Sequence, residues 1–214
     1  MMKTEIISAS SPNAIPHALE ILKAGGLVAF PTDTVYGVGA LAFDGIAVES
    51  IYAAKDRPVE KAIPVLIGDS DDLEKVAVNI PHSARKLASR FWPGPLTILV
   101  PKYADLPESV SATSTVGVRV PDHEVARALL RAAGPMAVTS ANISGRESPV
   151  TAEEVYDQLG GRIDLIIDGG KTPGGVPSTL VDCTTSELKV LREGPISLEE
   201  LLSALRPPSQ PSSI

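Results

Sequence analysis

The stretch LVAFPTDTVYGVGAL, residues 27–41, decides the fold. Its first four residues, 27–30, are all apolar, which is typical of a strand buried on both faces of a sheet. Pro31 ends that run, and residues 35–41 predict a second extended segment. The polar residues between them place small hydroxyl side chains at the end of a buried strand.

Outward from this stretch, short apolar runs alternate with helical patterns, which is typical of an α/β domain. Apolar residues recur at helical spacing over 15–23, and Gly25 with Gly26 ends that helix. Thr151 with Glu154 predicts a capping box. Further helices are predicted over 46–55, 81–91, 122–132, 151–159 and 197–205, and further strands over 5–8, 62–67, 96–100, 116–120, 136–138, 165–167, 179–181 and 188–190.

The composition is that of one ordinary globular domain. Of 214 residues, 43% are hydrophobic and 21% are charged. These fractions exclude disorder, collagen and coiled coil for the whole chain. Aromatic residues make up only 4%, so aliphatic side chains must fill the core. Residues 206–214 are rich in Pro and Ser and predict a disordered tail, which leaves a folded domain over 1–205.

The charge balance bears on the partners of the protein. Nineteen Lys and Arg against 26 Asp and Glu give a formal net charge of −7. An overall basic surface for nucleic acid is thereby excluded and tight direct binding is not expected, although a local basic pocket stays compatible with this charge. The single cysteine, Cys183, excludes an intramolecular disulfide. No apolar run approaches the roughly 20 residues of a membrane span, so we expect a cytoplasmic protein.

The familiar catalytic motifs are missing. Residues 169–172 read GGKT, but the glycine that a phosphate loop needs five residues before its Gly-Lys pair is Leu165, so a Gly-rich turn is the better interpretation. The three histidines are too scattered to form a metal site by spacing. His123 follows a predicted strand and is a candidate to touch a pocket. Cys183 is interpreted as a buried apolar side chain, since no neighbouring residue would lower its pKa.

Hydroxyl residues and one arginine lie on or beside predicted strands. Thr32, Thr34 and Tyr36 share one face if their segment is extended, which fits a binding site and a polar edge strand equally well. Arg119 lies between two valines, where a charged side chain needs a partner. Residues 113–115 and 139–145 carry further hydroxyl clusters.

Three cations gather around Pro58. Lys55 and Arg57 lie at the end of a predicted helix and in its exit loop, and Lys61 follows. The negative end of the helix dipole explains a cation at Lys55. It does not explain three cations within seven residues beside a proline-constrained turn, so a site for an anion is the alternative.

Seven segments, in this order and spacing, resemble the YrdC-like family over about residues 19–202. The family's K-x-R and S-x-N signatures fall on Lys55 with Arg57 and on Ser140 with Asn142. Each motif alone is weak, but seven in sequence order are specific. The matching text is PTDTVYGVG at 31–39, KDRP at 55–58, WPGPLT at 92–97, VGVRVPDH at 116–123, TSANISG at 139–145, STLVD at 178–182 and LREG at 191–194.

The resemblance implies a single YrdC-like α/β domain, with a twisted mixed sheet and flanking helices around an open cavity. It also implies a nucleotidyltransferase, a threonylcarbamoyl-AMP synthase that joins L-threonine, bicarbonate and ATP and releases pyrophosphate. Mg²⁺ would enter bound to the phosphates, with no metal site made by side chains. The product would pass to partner proteins that complete the threonylcarbamoyl modification of tRNA.

The resemblance also implies site residues. Lys55 and Arg57 would be the catalytic pair, and Thr32 and Tyr36 are second choices for the threonine pocket. The residues implied for threonine are Thr34, Arg119, Val138 and Ser178, and those for ATP are Lys55, Arg57, Lys61, Thr115, Ser140, Asn142, Ser148 and Arg192. Two departures from longer relatives stand out. Leu66 occupies the place of a His that helps to hold threonine there, and their second C-terminal domain is missing, so the short form is expected.

Three other classes of function stay open. One is an RNA-binding module without catalysis, against which the negative charge and the few aromatics argue. Another is a carbamoyltransferase component that uses carbamoyl phosphate, and the third is a nucleotide-binding regulator without turnover.

Overall fold

The computed structural model describes residues 3–206, which form one ten-stranded sheet covered by six α-helices. The strands are β1 Glu5–Ser8, β2 Val28–Pro31, β3 Tyr36–Leu41, β4 Val65–Leu66, β5 Leu96–Pro101, β6 Thr115–Arg119, β7 Met136–Ser140, β8 Leu165–Asp168, β9 Thr179–Asp182 and β10 Lys189–Arg192. The helices are α1 Ala14–Lys23, α2 Gly45–Lys55, α3 His82–Phe91, α4 Glu124–Ala133, α5 Ala152–Leu159 and α6 Leu198–Leu205, with a 3₁₀ turn at Ser70–Lys75.

The sheet is mixed, as expected. Its strands follow the order β1-β8-β2-β3-β7-β4-β6-β5-β9-β10. β8 runs parallel to both β1 and β2, whereas β3 is antiparallel to β2 and to β7. The far half mixes both senses again, since β6 is parallel to β4 and antiparallel to β5. Single-sequence patterns predict the strands, but this order brings together strands that are distant in the chain.

The apolar run of β2 explains how the core is divided. Val28 and Phe30 join a cluster with the buried faces of α1 and α4, while Ala29 points into the larger cluster on the other side of the sheet. Alternate residues of a strand face opposite sides, so a fully apolar strand serves both clusters. All four residues of β2 are buried.

Two local predictions differ from the structure. The strand predicted over 62–67 shortens to β4, because Pro64 has no N–H and the Ile63 N–H donates to the Val110 carbonyl outside the sheet. The capping box predicted at Thr151 is only half formed, since the Glu154 carboxylate accepts from the Val150 N–H. A complete capping box is present at the start of α6, between Ser197 and Glu200.

The C-terminal tail predicted over 206–214 falls almost wholly beyond Arg206, and residues 207–214 lie outside the described residues. Within residues 3–206, none of the helices is long and apolar enough to cross a membrane.

Candidate functional site

The central cavity, with a volume of about 330 Å³, opens on one face of the sheet between β3 and β10. The two-residue period of strands selects its lining. From β6 the lining takes Thr115, Gly117 and Arg119, and from β5 it takes Thr97 and Leu99. The inward side chains of neighbouring strands therefore converge on one space.

Two glycines keep the floor of the central cavity open. A Cβ atom on Gly117 would lie 3.1 Å from the Thr97 methyl carbon, and one on Gly37 would lie 2.7 Å from a Val138 methyl carbon. Contacts this short force the neighbours to move. Glycine at these two strand positions thus gives a ligand access to the backbone.

Arg119, at the end of β6, is 6% exposed and held on three sides. Its Nε donates to the Gly94 carbonyl at 3.0 Å, one Nη donates to Thr34 Oγ1 at 3.2 Å, and the other pairs with the Asp33 carboxylate. Burial lowers the pKa of the guanidinium, while Asp33 opposes that shift. Three of the five N–H groups of a guanidinium are engaged in this way, and the group still lines the central cavity.

Arg192, on β10, is the second guanidinium of the central cavity. Its Nε donates to the Ser178 carbonyl at 3.0 Å, and one Nη donates to Ser178 Oγ at 3.1 Å. The same hydroxyl lies 2.7 Å from Thr97 Oγ1. Arg192 is close enough to Arg119 for its charge to lower the pKa of that arginine. The two cations therefore face one region of the cavity.

Arg57, in the loop after α2, is the third guanidinium. It donates to the carbonyls of Lys61 and Ala62 at 3.2 and 3.0 Å. These bonds fold the 57–62 turn around the side chain. Burial lowers the pKa of Arg57.

The charged side chains that line the central cavity are all positive. Its lining contains three arginines and, within the described part of the chain, no Asp or Glu. Guanidinium groups stay protonated in proteins and form forked bonds with carboxylates and phosphates. An anionic ligand is therefore the chemistry that this cavity suits best.

Lys55, at the end of α2, does not line the central cavity. Its ammonium donates to the carbonyls of Ser140 and Asn142, and its own carbonyl accepts from the Ser144 N–H at 2.8 Å. Burial, assisted by the charge of Arg57, lowers the pKa of Lys55 to about 7. In this structure Lys55 holds the loop after β7, and its predicted contact with phosphate stays a prediction.

The other predicted residues divide into two groups. Asn142 donates its amide to the carbonyls of Ile143 and Arg146, both at 2.9 Å, while its Oδ1 is buried without a partner in the described residues. The Tyr36 hydroxyl donates to the Gly170 carbonyl at 2.7 Å, and burial raises its pKa to about 12. Of the predicted residues, the central cavity is lined by Thr32, Thr34, Arg57, Thr115, Arg119, Val138, Ser140, Ser178 and Arg192, and not by Tyr36, Lys55, Lys61, Asn142 or Ser148.

A second hollow, the side depression, is lined in part by the three residues that bond Arg119. It has a volume of about 450 Å³, and its lining includes Asp33, Thr34, Gly94 and Asp122. Thr34 belongs to both linings. The side depression is acidic where the central cavity is basic, and the Arg119–Asp33 pair joins the two.

The candidate metal ligands are few. Across residues 3–206, no three His, Cys, Asp or Glu side chains come together as a metal site. A divalent cation bound mainly by a ligand's own phosphates is compatible with this lining, and a cation bound by a cage of protein carboxylates is not.

A family model described as "Telomere recombination", for Sua5, YciO and YrdC proteins, matches residues 20–194, most of the chain. The chain belongs to the Sua5/YciO/YrdC family. The resemblance carried by the seven motifs is thereby confirmed. The expected fold is confirmed as well, because the structure is one Sua5/YrdC domain with a mixed sheet and flanking helices.

Curated and solved members of the family can be compared directly. A threonylcarbamoyl-AMP synthase of Pyrococcus abyssi is 45% identical, and the match covers 86% of this chain and 55% of that protein. One from Marinobacter nauticus is 36% identical, and the match covers 83% of this chain and 96% of that protein. The crystal structure of P. abyssi Sua5 complexed with L-threonine superimposes with a TM-score of 0.89 and 41% sequence identity. The match covers 94% of this chain and 60% of the P. abyssi chain. The chain thus spans little more than half of the P. abyssi relative.

Four hydroxyl residues that line the central cavity are not predicted individually as site residues from the sequence, namely Thr97, Ser111, Thr113 and Thr139. Three of them lie within segments that the sequence marks as polar or motif-bearing: WPGPLT for Thr97, the 113–115 cluster for Thr113 and TSANISG for Thr139. Ser111 lies in a loop, where its carbonyl accepts from Lys102 and its hydroxyl lies close to that of Thr113. No motif in the sequence around Ser111 predicts that it lines the cavity. Leu66 also lines this cavity.

Proposed function

We propose that this protein is an L-threonylcarbamoyladenylate synthase, a nucleotidyltransferase that makes threonylcarbamoyl-AMP and pyrophosphate from L-threonine, bicarbonate and ATP. The observation that carries the proposal is a cavity lined by three arginines and no carboxylate, among the described residues, in a chain whose relatives are named threonylcarbamoyl-AMP synthase. The complex of P. abyssi Sua5 with L-threonine supports threonine as one substrate.

The chemistry suits this lining. The neutral amine of threonine attacks the carbon of bicarbonate, so that an N–C bond forms, a C–O bond breaks and water leaves, which gives a carbamate. A carbamate oxygen then attacks the α-phosphate of ATP. A bond forms between that oxygen and the α-phosphorus, and the bond to the bridging oxygen breaks as pyrophosphate leaves. The nucleophile already carries negative charge, so no Ser-His pair is needed to activate it. Fixed cations and donors lower the barrier by positioning two anions and stabilising their charge.

We assign threonine to the inner end of the central cavity. Arg119 has two N–H groups left for a carboxylate, and Thr34 and Ser178 supply hydroxyls beside it. The main chain of Val138 adds a contact. Leu66 forms part of the apolar wall, so a contact from a histidine at this place is replaced by an apolar surface.

We assign the nucleotide to the outer part. Arg57 would face the phosphates, with Lys61 in the same loop, while Lys55 holds the end of β7, which carries Ser140, and the loop that follows it. Thr115, Ser140 and Arg192 line the cavity for the nucleotide, whereas Asn142 and Ser148 would have to approach from its edge. Mg²⁺ would neutralise the phosphates to which it is bound.

The surroundings of the reaction follow from its substrates. ATP, threonine and tRNA meet in the cytoplasm, where we place the protein. The adenylate would be passed to tRNA threonylcarbamoyl-transfer proteins, since the formal charge of −7 opposes tight binding of RNA by this chain itself.

The test is a labelling experiment. The purified protein is incubated with ATP, Mg²⁺, labelled bicarbonate and L-threonine, and we expect label in a nucleotide adduct. Label that enters from carbamoyl phosphate, with bicarbonate inert, would instead support a carbamoyltransferase component. Binding of ATP without any product would point to a regulator, and tight RNA binding without product would point to an RNA-binding module.

A further inference from the structure

We propose that Asp33 is a positioning residue for the amino-acid substrate: it fixes the orientation of the Arg119 guanidinium, so that the remaining N–H groups of that arginine face the central cavity. The inference deepens the proposed function and rests on it. Asp33 itself lines the side depression and not the central cavity, so it acts through Arg119.

The geometry shows how the guanidinium is fixed. Asp33 binds one Nη, Thr34 binds the other at 3.2 Å, and the Gly94 carbonyl accepts from Nε at 3.0 Å. Partners at Nε and at both Nη atoms determine the plane of the group and leave one N–H on each Nη. Of the three partners only Asp33 is charged, so it contributes the strongest of the three bonds.

The residues that hold Asp33 and Thr34 are themselves ordered. Thr32 Oγ1 donates to the Val35 carbonyl at 2.7 Å and accepts from the Thr34 N–H at 3.2 Å, which closes the turn after β2. On the other side, the Gly94 N–H donates to the Val120 carbonyl at 2.9 Å. The carboxylate and the carbonyl are thus presented by two turns that do not depend on the ligand.

Electrostatics explains why a carboxylate is needed here. Arg119 and Arg192 repel each other, and burial of Arg119 removes water from around that guanidinium, whereas Arg192 is exposed and partly screened. Asp33 is the one carboxylate in residues 3–206 that bonds to Arg119. Without it, the guanidinium would be driven from Arg192 and would lose its fixed orientation before substrate arrives.

Asp33 has a second effect on threonine affinity, which opposes its effect on the orientation of Arg119. An experiment can separate the two effects. A carboxylate beside Arg119 also lowers the positive potential of the central cavity, so its removal could strengthen the binding of any anion. We expect orientation to outweigh this effect. The sign of the change in threonine affinity therefore decides between positioning and simple attenuation of charge.

The experiment compares Asp33→Asn and Asp33→Glu with wild type, and with Asp69→Asn as the matched control. Asp69 also pairs with arginines, Arg127 and Arg131, but outside both hollows. We measure KM for threonine and for ATP, threonine affinity by calorimetry, and thermal melting. Asn keeps an acceptor without the charge, and Glu keeps the charge but displaces it by one methylene.

We expect both Asp33 variants to raise KM and Kd for threonine by about 10- to 100-fold, because each loses a well-oriented hydrogen bond between charged groups. KM for ATP should stay nearly unchanged. Asp69→Asn should leave both values unchanged. Unchanged or tighter threonine binding in a folded Asp33→Asn protein would overturn the proposal, as would equal losses for both substrates. If Asp33→Asn does not fold, Asp33→Glu decides by the same criteria. A wild-type protein that makes no adduct but binds threonine contradicts the proposed function and leaves the calorimetric comparison valid.

Discussion

At the scale of single residues, Arg119 carries the sharpest prediction. Lys offers a point charge in place of a planar fork, so it cannot bond Asp33, Thr34 and Gly94 and also present two donors to a carboxylate. We expect Arg119→Lys to weaken threonine binding by roughly 30- to 1000-fold, on the order of 2–4 kcal/mol, with ATP binding nearly intact. The melting temperature should also fall, because the Asp33 pair is part of the fold.

The comparison for this variant is Arg57→Ala, which should damage ATP use more than threonine use. Calorimetric titration of threonine and of an ATP analogue measures both affinities. Normal threonine affinity in Arg119→Lys would contradict our assignment of that residue.

The buried ammonium of Lys55 should make the stability of the protein depend on pH. Burial lowers the pKa of its ammonium from 10.5 in the unfolded chain to about 7 in the folded one. Between these values the unfolded state binds more protons, so this residue makes the protein more stable as pH rises from 7 toward 10. We expect the free energy of unfolding of wild type, relative to Lys55→Met, to be larger at pH 9 than at pH 7.

Denaturant unfolding at the two pH values measures that difference, and groups other than Lys55 largely cancel in it. Lys75→Met serves as control, because Lys75 is an exposed lysine that pairs with Asp72 at the surface. A difference that shrinks with pH, or the same trend in the control, would show that Lys55 does not titrate as its burial requires.

At the scale of elements, β6 shapes the floor of the central cavity. A valine at Gly117 would place methyl groups in the ligand space, beside the Thr97 methyl and Pro64. We expect Gly117→Val to raise KM for both substrates at least tenfold. Ser197→Ala is the matched control, since loss of the α6 cap costs about 1 kcal/mol of stability away from the cavity and should leave KM unchanged. Unchanged KM values in a folded Gly117→Val protein would place the ligands elsewhere.

The positions of the strands can be predicted from the sequence more fully than their lengths and the contacts between them. Apolar runs such as residues 27–30 indicate strands correctly because burial on both faces needs a continuous apolar pattern. β4 is shorter than predicted because Pro64 has no N–H and the Ile63 N–H donates to the Val110 carbonyl outside the sheet, a contact that no periodicity encodes. The partner that Arg119 needs was expected, but its identity as Asp33, 86 residues away, depends on the strand order.

At the scale of the whole molecule, net charge predicts weak binding of tRNA. A chain with a formal charge of −7 releases few counterions when it meets phosphates. We expect no sub-micromolar complex with tRNA in a titration at physiological salt. A tight complex whose affinity falls steeply with salt would reveal a basic face outside the central cavity.

The release of pyrophosphate tests the proposed reaction most directly. Phosphorus NMR follows ATP in the presence of Mg²⁺ with threonine and bicarbonate together, and in reactions that omit each in turn. We predict AMP-linked product and pyrophosphate only when both are present with ATP, because the carbamate must form before it attacks the α-phosphate. Pyrophosphate release without threonine or without bicarbonate, or cleavage to ADP and phosphate, would contradict this reaction.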